Sequence, residues 1–240
     1  VMGTFNILKA AVKNNVKKVV FASSVAVYGI QKYLPINEKH PVEPFLPYGA
    51  TKRAGELYCS TFSKLYNIET VCLRYFYVYG TRYSSFDHSA MVNFIDRALK
   101  NKSLLIYGDG KQVRDYTYID DAVDGTIKAI KKDKIFGDIN NISSGQGISI
   151  LELAKKIKKI IGGNIDIQFA KNQEYKYIPN CKIPVGMTSR EKGKWIDQRS
   201  YNADLTYARK KLGYFPKTSL EKGIIKTIEW LNSKNKYVKK

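Results

Sequence analysis

Val16-Lys-Lys-Val-Val-Phe-Ala-Ser-Ser-Val-Ala-Val-Tyr-Gly29 and, after a proline-bearing connection, Pro47-Tyr-Gly-Ala-Thr-Lys52 are the residues on which the fold of this chain turns. Val16 to Ala22 is β-branched and aromatic towards its C-terminal end, as expected of a parallel strand covered on both faces. Such a strand delivers Ser23 and Ser24 to the carboxyl edge of its sheet, where open α/β sheets bind their ligands. Pro47 suits the first turn of a helix, because its missing N–H would go unbonded there in any case. Tyr48 and Lys52, four residues apart, then share one face of that helix.

A hydroxyl at a strand end beside a Tyr/Lys helix face can move protons. A free phenol ionises near pH 10, but an ammonium group held close favours the phenolate, provided the pair is partly desolvated. Ser24 would hydrogen-bond the same substrate oxygen, and an alcohol that loses its proton while hydride leaves the same carbon becomes a ketone. Spacing alone does not single this pair out. Tyr-x-x-x-Lys occurs four times, at Tyr28/Lys32, Tyr48/Lys52, Tyr107/Lys111 and Tyr207/Lys211. Only Tyr48/Lys52 combines an upstream serine strand with an unbroken helix.

With 240 residues, 44% of them hydrophobic, the chain is large enough for one domain and a smaller lobe. Its 41 basic and 21 acidic residues give a net charge of +20, which favours phosphates on a small ligand or on nucleic acid. The lysines gather at 131–134, 155–159 and 234–240, on helix ends and the tail, without any nucleic-acid-binding signature, so no nucleic-acid partner is expected. Cys59, Cys72 and Cys181, with His40 and His88, form neither a metal spacing nor an even disulfide set. A reducing, cytoplasmic location and no metal are expected. No run reads as a membrane span or signal, and no membrane partner is expected.

Further elements follow from periodicity and caps: a helix over 1–15, a strand over 69–76, a loop over 77–85, a helix over 88–100 and a strand over 103–107. A glycine-bearing loop, 108–115, precedes a strand over 116–119 and a helix to 131 capped by Asp120 or Asp121. A strand over 140–143, a Ser149-capped helix over 150–161, a long loop over 171–200 and helices over 203–212 and 219–231 complete the α/β alternation.

Phe21-Ala-Ser-Ser-Val-Ala-Val-Tyr-Gly29, Pro47-Tyr-Gly-Ala-Thr-Lys52, Leu73-Arg-Tyr-Phe-Tyr-Val-Tyr-Gly80 and Gly108-Asp-Gly-Lys-Gln-Val-Arg-Asp-Tyr116, in that order, resemble the extended short-chain dehydrogenase/reductase family, specifically its nucleotide-sugar 4-epimerases. The resemblance runs from residue 1 to about 231. It implies the C-terminal part of a Rossmann-type doubly wound parallel sheet, with a small α/β substrate-binding lobe mainly over 81–115 and 145–240. It also implies that about eighty residues carrying the glycine-rich pyrophosphate turn precede Val1, and that this chain alone is an inactive fragment. Family members commonly dimerise through the helix over 1–15 and the Tyr48 helix, so a homodimer is expected of the full-length protein.

By the same resemblance Ser24, Tyr48 and Lys52 are catalytic. Ala22, Ser23, Tyr48, Lys52 and Tyr75 contact NAD, and Ser24, Val25, Tyr77, Tyr107, Arg114, Arg190 and Tyr201 contact a UDP-sugar. Tyr77 departs from the asparagine usual there, Tyr107 is either a base-stacking or a core aromatic, and Arg114 grips the diphosphate unless Asp115 or Asp120 claims it. Arg190 and Asp197 are candidates for phosphate and ribose contacts, and a bulky Tyr201 leans towards glucose and galactose over their N-acetyl forms. Related dehydratases place an acid pair, and decarboxylases generally an acid, where Val25 and Ala26 stand, which leaves reversible oxidation at C4. A reductase, a glucuronate epimerase or a non-catalytic nucleotide-sugar binder remain alternatives.

Overall fold

The computed structural model describes residues 1–81, 89–170, 188–191, 194–197 and 200–238. Helix α1, Met2–Lys13, buries Leu8 and Ala11. Strand β1 begins only at Lys18 and runs to Ser24, because the Val16 amide is spent closing the helix end onto the Ala11 carbonyl at 2.9 Å. A 3-10 turn, Val25–Tyr28, follows. Helix α2, Pro47–Tyr66, starts on its proline and ends at Asn67 in the left-handed conformation. Next come β2, Glu69–Tyr75, β3, Val78–Tyr79, α3, Ala90–Leu99, β4, Leu104–Tyr107, β5, Val113–Asp115, and β6, Thr117–Tyr118. Helix α4, Ile119–Lys131, leads to β7, Phe136–Ile142, β8, Gly147–Ser149, α5, Ile150–Ile161, and β9, Ile167–Ala170. Strands β10, Thr188–Glu191, and β11, Lys194–Asp197, precede α6, Thr206–Leu212, and α7, Leu220–Val238.

The site rests on a three-stranded parallel sheet in the order β1-β2-β7. Central β2 is buried along all but its last residue, whereas β1, at the sheet's edge, is only partly covered. Register pairs Ser23 with Arg74 and Ser24 with Tyr75, and successive side chains alternate between faces. Ser23 and Arg74 reach α2, while the Tyr75 hydroxyl reaches Thr126 of α4 at 2.7 Å. Helices therefore cover both faces, the doubly wound arrangement expected. One apolar cluster joins Leu73 and Ile142 to α4 and α6, a second gathers Phe94, Ile106 and Leu153, and a third packs Leu8 against Phe62 and Cys72.

Several loops expected from sequence contain short strands. Val78–Tyr79 pairs with β6, and Val113–Asp115 pairs antiparallel with β8. The 171–200 stretch holds the antiparallel pair β10–β11, its residues 171–187, 192–193 and 198–199 lying outside the described residues. The α6 helix starts at Thr206 rather than at 203 because Ala203 forms a bridge with Ile36. Asp120 and Asp121 do not cap α4; they lie in its first turn, and Asp121 instead receives the Lys217 and Thr218 amides at 2.8 and 3.0 Å. His88, expected in α3, lies outside the described residues. Among the described residues, no helix is long and apolar enough to cross a membrane.

Candidate active site

Two glycines let α2 press against β1. A Cβ on Gly49 would lie 2.4 Å from the Ala26 carbonyl oxygen, and one on Gly55 would lie 2.3 Å from the Phe21 ring. Both are far inside van der Waals contact. Tyr48 is thereby carried next to the turn that leaves Ser24, whose Oγ accepts the Ala26 N–H at 3.2 Å. Lys52 Nζ donates to the Ala22 carbonyl at 2.8 Å and sits 5.6 Å from the centre of the Tyr48 ring. Tyr48 and Lys52 thus lie at the carboxyl end of β1, beside the turn that follows Ser24. Tyr48 is 57% exposed, its ring open to any ligand at this edge of the sheet.

The rival Tyr/Lys pairs are engaged otherwise. Tyr28 is buried and donates to Asn141 Oδ1 at 2.6 Å; burial pushes its pKa up to about 12, against the opposing pull of the Arg74 guanidinium over its ring. Lys211 lies 5.7 Å from the Tyr207 ring, nearly the distance at the site, but burial and the Asp138 carboxylate that accepts its hydroxyl raise the Tyr207 pKa. Tyr107 ends β4, and Gly108 and Gly110, both at positive φ, turn the chain before Lys111.

The expected cofactor contacts divide. Ala22 is exposed on the face of β1 away from α2. Ser23 is not available there: it is buried, on the α2 face, and donates to Glu56 Oε1 at 2.6 Å. The Tyr75 hydroxyl is shared with Thr126, towards α4. Glu56 also accepts Arg74 Nε and Nη2, both at 2.8 Å, and Arg53 Nη1 at 3.1 Å. Burial raises the Glu56 pKa, but Arg74, Ser23 and Arg53 outweigh it and hold the carboxyl below its ordinary range. The motif reading missed Glu56 and Arg74, although Tyr48, Lys52 and Glu56 follow one another at four-residue steps along one helix face.

Among the expected substrate contacts, the Val25 side chain is buried in the first apolar cluster, leaving its backbone for any ligand. Tyr107 is 37% exposed, which removes the core reading and leaves its ring accessible. The buried Arg114 places its guanidinium 5.3 Å from the Tyr77 ring and 5.8 Å from the Tyr201 ring, and Nη1 donates to the Val113 carbonyl at 2.9 Å. The two acids weighed as its partners are occupied elsewhere: Asp115 receives Ser144, Gly145 and Ala203, and Asp120 pairs with Lys226. Tyr201 donates through its hydroxyl to the Gly29 carbonyl at 2.7 Å, tying β5's neighbourhood to the loop after Ser24. Arg190 stands opposite Trp195 and Asp197 opposite Thr188 in the β10–β11 pair; their side chains lie outside the described residues. Cys59 and Cys72, distant in sequence, are both free and buried in the α1–α2 cluster, and Cys181 lies outside the described residues.

Fold and site together define a Rossmann-like α/β protein with a Ser/Tyr/Lys set at the carboxyl edge of its sheet. The chain belongs to the NAD dependent epimerase/dehydratase family, whose model matches residues 1–143. It is 35% identical to a putative UDP-glucose 4-epimerase of Methanocaldococcus jannaschii over 98% of this chain and 70% of the relative. It superposes with a TM-score of 0.83 on a UDP-glucose 4-epimerase of Thermotoga maritima solved with UDP-glucose, at 30% identity, covering 98% of this chain and 70% of that one. A UDP-glucuronic acid 4-epimerase of Bacillus cereus in complex with NAD gives a TM-score of 0.79 at 31% identity, covering 97% and 67%. The chain spans 63% to 70% of the length of four curated relatives.

Proposed function

We propose that the protein containing this chain interconverts the C4 epimers of a UDP-sugar, UDP-glucose and UDP-galactose in the first instance. The observation that carries this reading is the packing of α2 on the turn after Ser24, which brings Tyr48, backed by the Lys52 ammonium, to the end of β1. Tyr48 takes the proton of the sugar's 4-hydroxyl, Ser24 holds that oxygen, and Lys52 favours the phenolate. The sugar becomes a 4-ketone, turns over, and regains hydrogen at C4 from the other face while Tyr48 returns the proton. NAD, when bound, supplies the acceptor and donor of hydride.

The described residues fit one end of that cofactor: Ala22 is open at the strand end and Lys52 offers an ammonium donor beside it. Its pyrophosphate would need a glycine turn between a strand and a helix. Gly108, Gly110, Gly145, Gly162 and Gly163, all at positive φ, instead lie between two strands or after a helix. Arg114, with its guanidinium 5.3 Å from the Tyr77 ring and 5.8 Å from the Tyr201 ring, is the diphosphate contact in this proposal, and Tyr107 the platform for the base. A single NAD-binding unit with its substrate lobe over 81–115 and 145–240 is part of the same reading.

The test measures bound NAD and the conversion of UDP-galactose and of UDP-glucuronate, on this chain and on the chain joined to its upstream coding sequence. NAD retention and UDP-galactose conversion in the longer protein alone support the epimerase reading and make this chain an inactive piece of it. NAD retention with conversion of UDP-glucuronate only moves the substrate, and a longer protein that neither holds NAD nor converts either sugar defeats the proposal.

A further inference from the structure

Behind Ser24, Tyr48 and Lys52 lies a buried, heavily bonded carboxylate, that of Glu56. It is 1% exposed and receives four hydrogen bonds, from Ser23, from two nitrogens of Arg74 and from Arg53. Arg74 belongs to central β2, Ser23 to β1 immediately before Ser24, and Glu56 to α2, one turn after Lys52. Lys52 in turn holds the Ala22 carbonyl. Two successive turns of α2 therefore grip two successive residues of β1, Glu56 holding Ser23 and Lys52 holding Ala22; Ser24 follows the gripped pair directly on the strand, and Tyr48 precedes Lys52 by one turn on the helix.

We propose that Glu56 is a positioning residue: through the Ser23 hydroxyl it sets the height of the Ser24 turn against the Tyr48 face of α2, with Arg74 and Arg53 fixing the carboxylate itself. The inference rests on the epimerase reading for its kinetic consequence but not for its geometry. A carboxylate clamped by a bidentate guanidinium has one orientation, so a single hydroxyl bonded to it is held in register. A misplacement of about 1 Å at a reacting group can cost roughly 100-fold in rate, which is the scale on which such a clamp matters.

Ser23→Ala removes one donor and leaves the Glu56–Arg74 pair in place, so it tests positioning without unpairing a buried charge. In the NAD-loaded protein it is expected to lower kcat roughly 10- to 100-fold with KM for the UDP-sugar unchanged. Ser23→Thr, which keeps the hydroxyl, recovers most of that loss. Amide hydrogen exchange over Val25–Tyr28, measured without substrate, quickens in Ser23→Ala, slows again in Ser23→Thr, and stays unchanged in the second apolar cluster around Leu153. Wild-type kcat and exchange in Ser23→Ala overturn the proposal, as does a loss that Ser23→Thr leaves in place. If exchange responds as expected while Tyr48→Phe retains full turnover, the clamp stands and the reading of Tyr48 as proton carrier fails instead.

Discussion

Arg114 shows how far a single residue can be read from sequence. Its type and its place after a glycine turn suggested an anion contact, but its neighbours were legible only in three dimensions. Tyr77, Arg114 and Tyr201 come from separate segments and meet because Tyr201 N bonds to the Val113 carbonyl at 3.0 Å. A planar guanidinium packs flat against tyrosine rings as an ammonium cannot. Arg114→Lys is therefore expected to raise KM for the UDP-sugar about tenfold, a loss of about 1.4 kcal/mol, with kcat nearly unchanged. A steady-state comparison checks this, and an unchanged KM would remove Arg114 from the diphosphate site. Glu56 was not legible, because a buried glutamate and an exposed one look alike until Arg74 is known to face it. Removing its charge leaves Arg74 buried and unpaired, so Glu56→Gln is expected to destabilise the fold by about 3–5 kcal/mol near neutral pH. The folded carboxyl is depressed, so its contribution is present above the unfolded value of about 4.3 and fades as pH falls through the folded one. Urea unfolding should then show the gap between wild type and Glu56→Gln narrowing below about pH 4; a gap constant from neutral to acid would contradict the assignment.

Elements whose start signals are local were legible; elements defined by distant pairing were not. Helix α5 spans Ile150–Ile161 as expected, since Ser149 accepts the Glu152 amide and the Glu152 carboxylate returns the favour in a full capping box. Ser149→Ala is expected to cost about 1 kcal/mol, read as a lower urea midpoint with unchanged slope. Strands β3, β5 and β8 escaped a sequence reading because two or three residues carry no periodicity and their partners lie far along the chain, whereas β6 falls inside the strand expected over 116–119. Helix α2 was legible from Pro47 to its Tyr48/Lys52 face, yet its contact with β1 was not. Gly49 decides that contact: Gly49→Ala sets a methyl against the Ala26 backbone, where nothing flexible can yield, and is expected to cost about 1–3 kcal/mol and most of the activity. A variant with wild-type melting temperature and turnover would show that α2 does not need so close an approach.

At the scale of the molecule, the alternation of strands and helices sufficed for a parallel sheet covered on both faces, and three apolar clusters support it. The order in which β1, β2 and β7 lie side by side needed the structure. The packed α1–α2 pair exposes Ile7, Leu57 and Leu65, and we propose a homodimer of the whole protein across that face. Sedimentation should find a dimer that Leu57→Asp turns into monomer; a variant still dimeric would place the interface elsewhere. The central claim, oxidation and re-reduction at one carbon with Tyr48 as proton carrier, is tested most directly with UDP-galactose deuterated at C4. The whole protein, loaded with NAD, is expected to yield UDP-glucose that keeps the deuterium on C4, with Tyr48→Phe slowed at least about 100-fold. Product that has exchanged its deuterium with solvent, or conversion undiminished in Tyr48→Phe, would contradict the account.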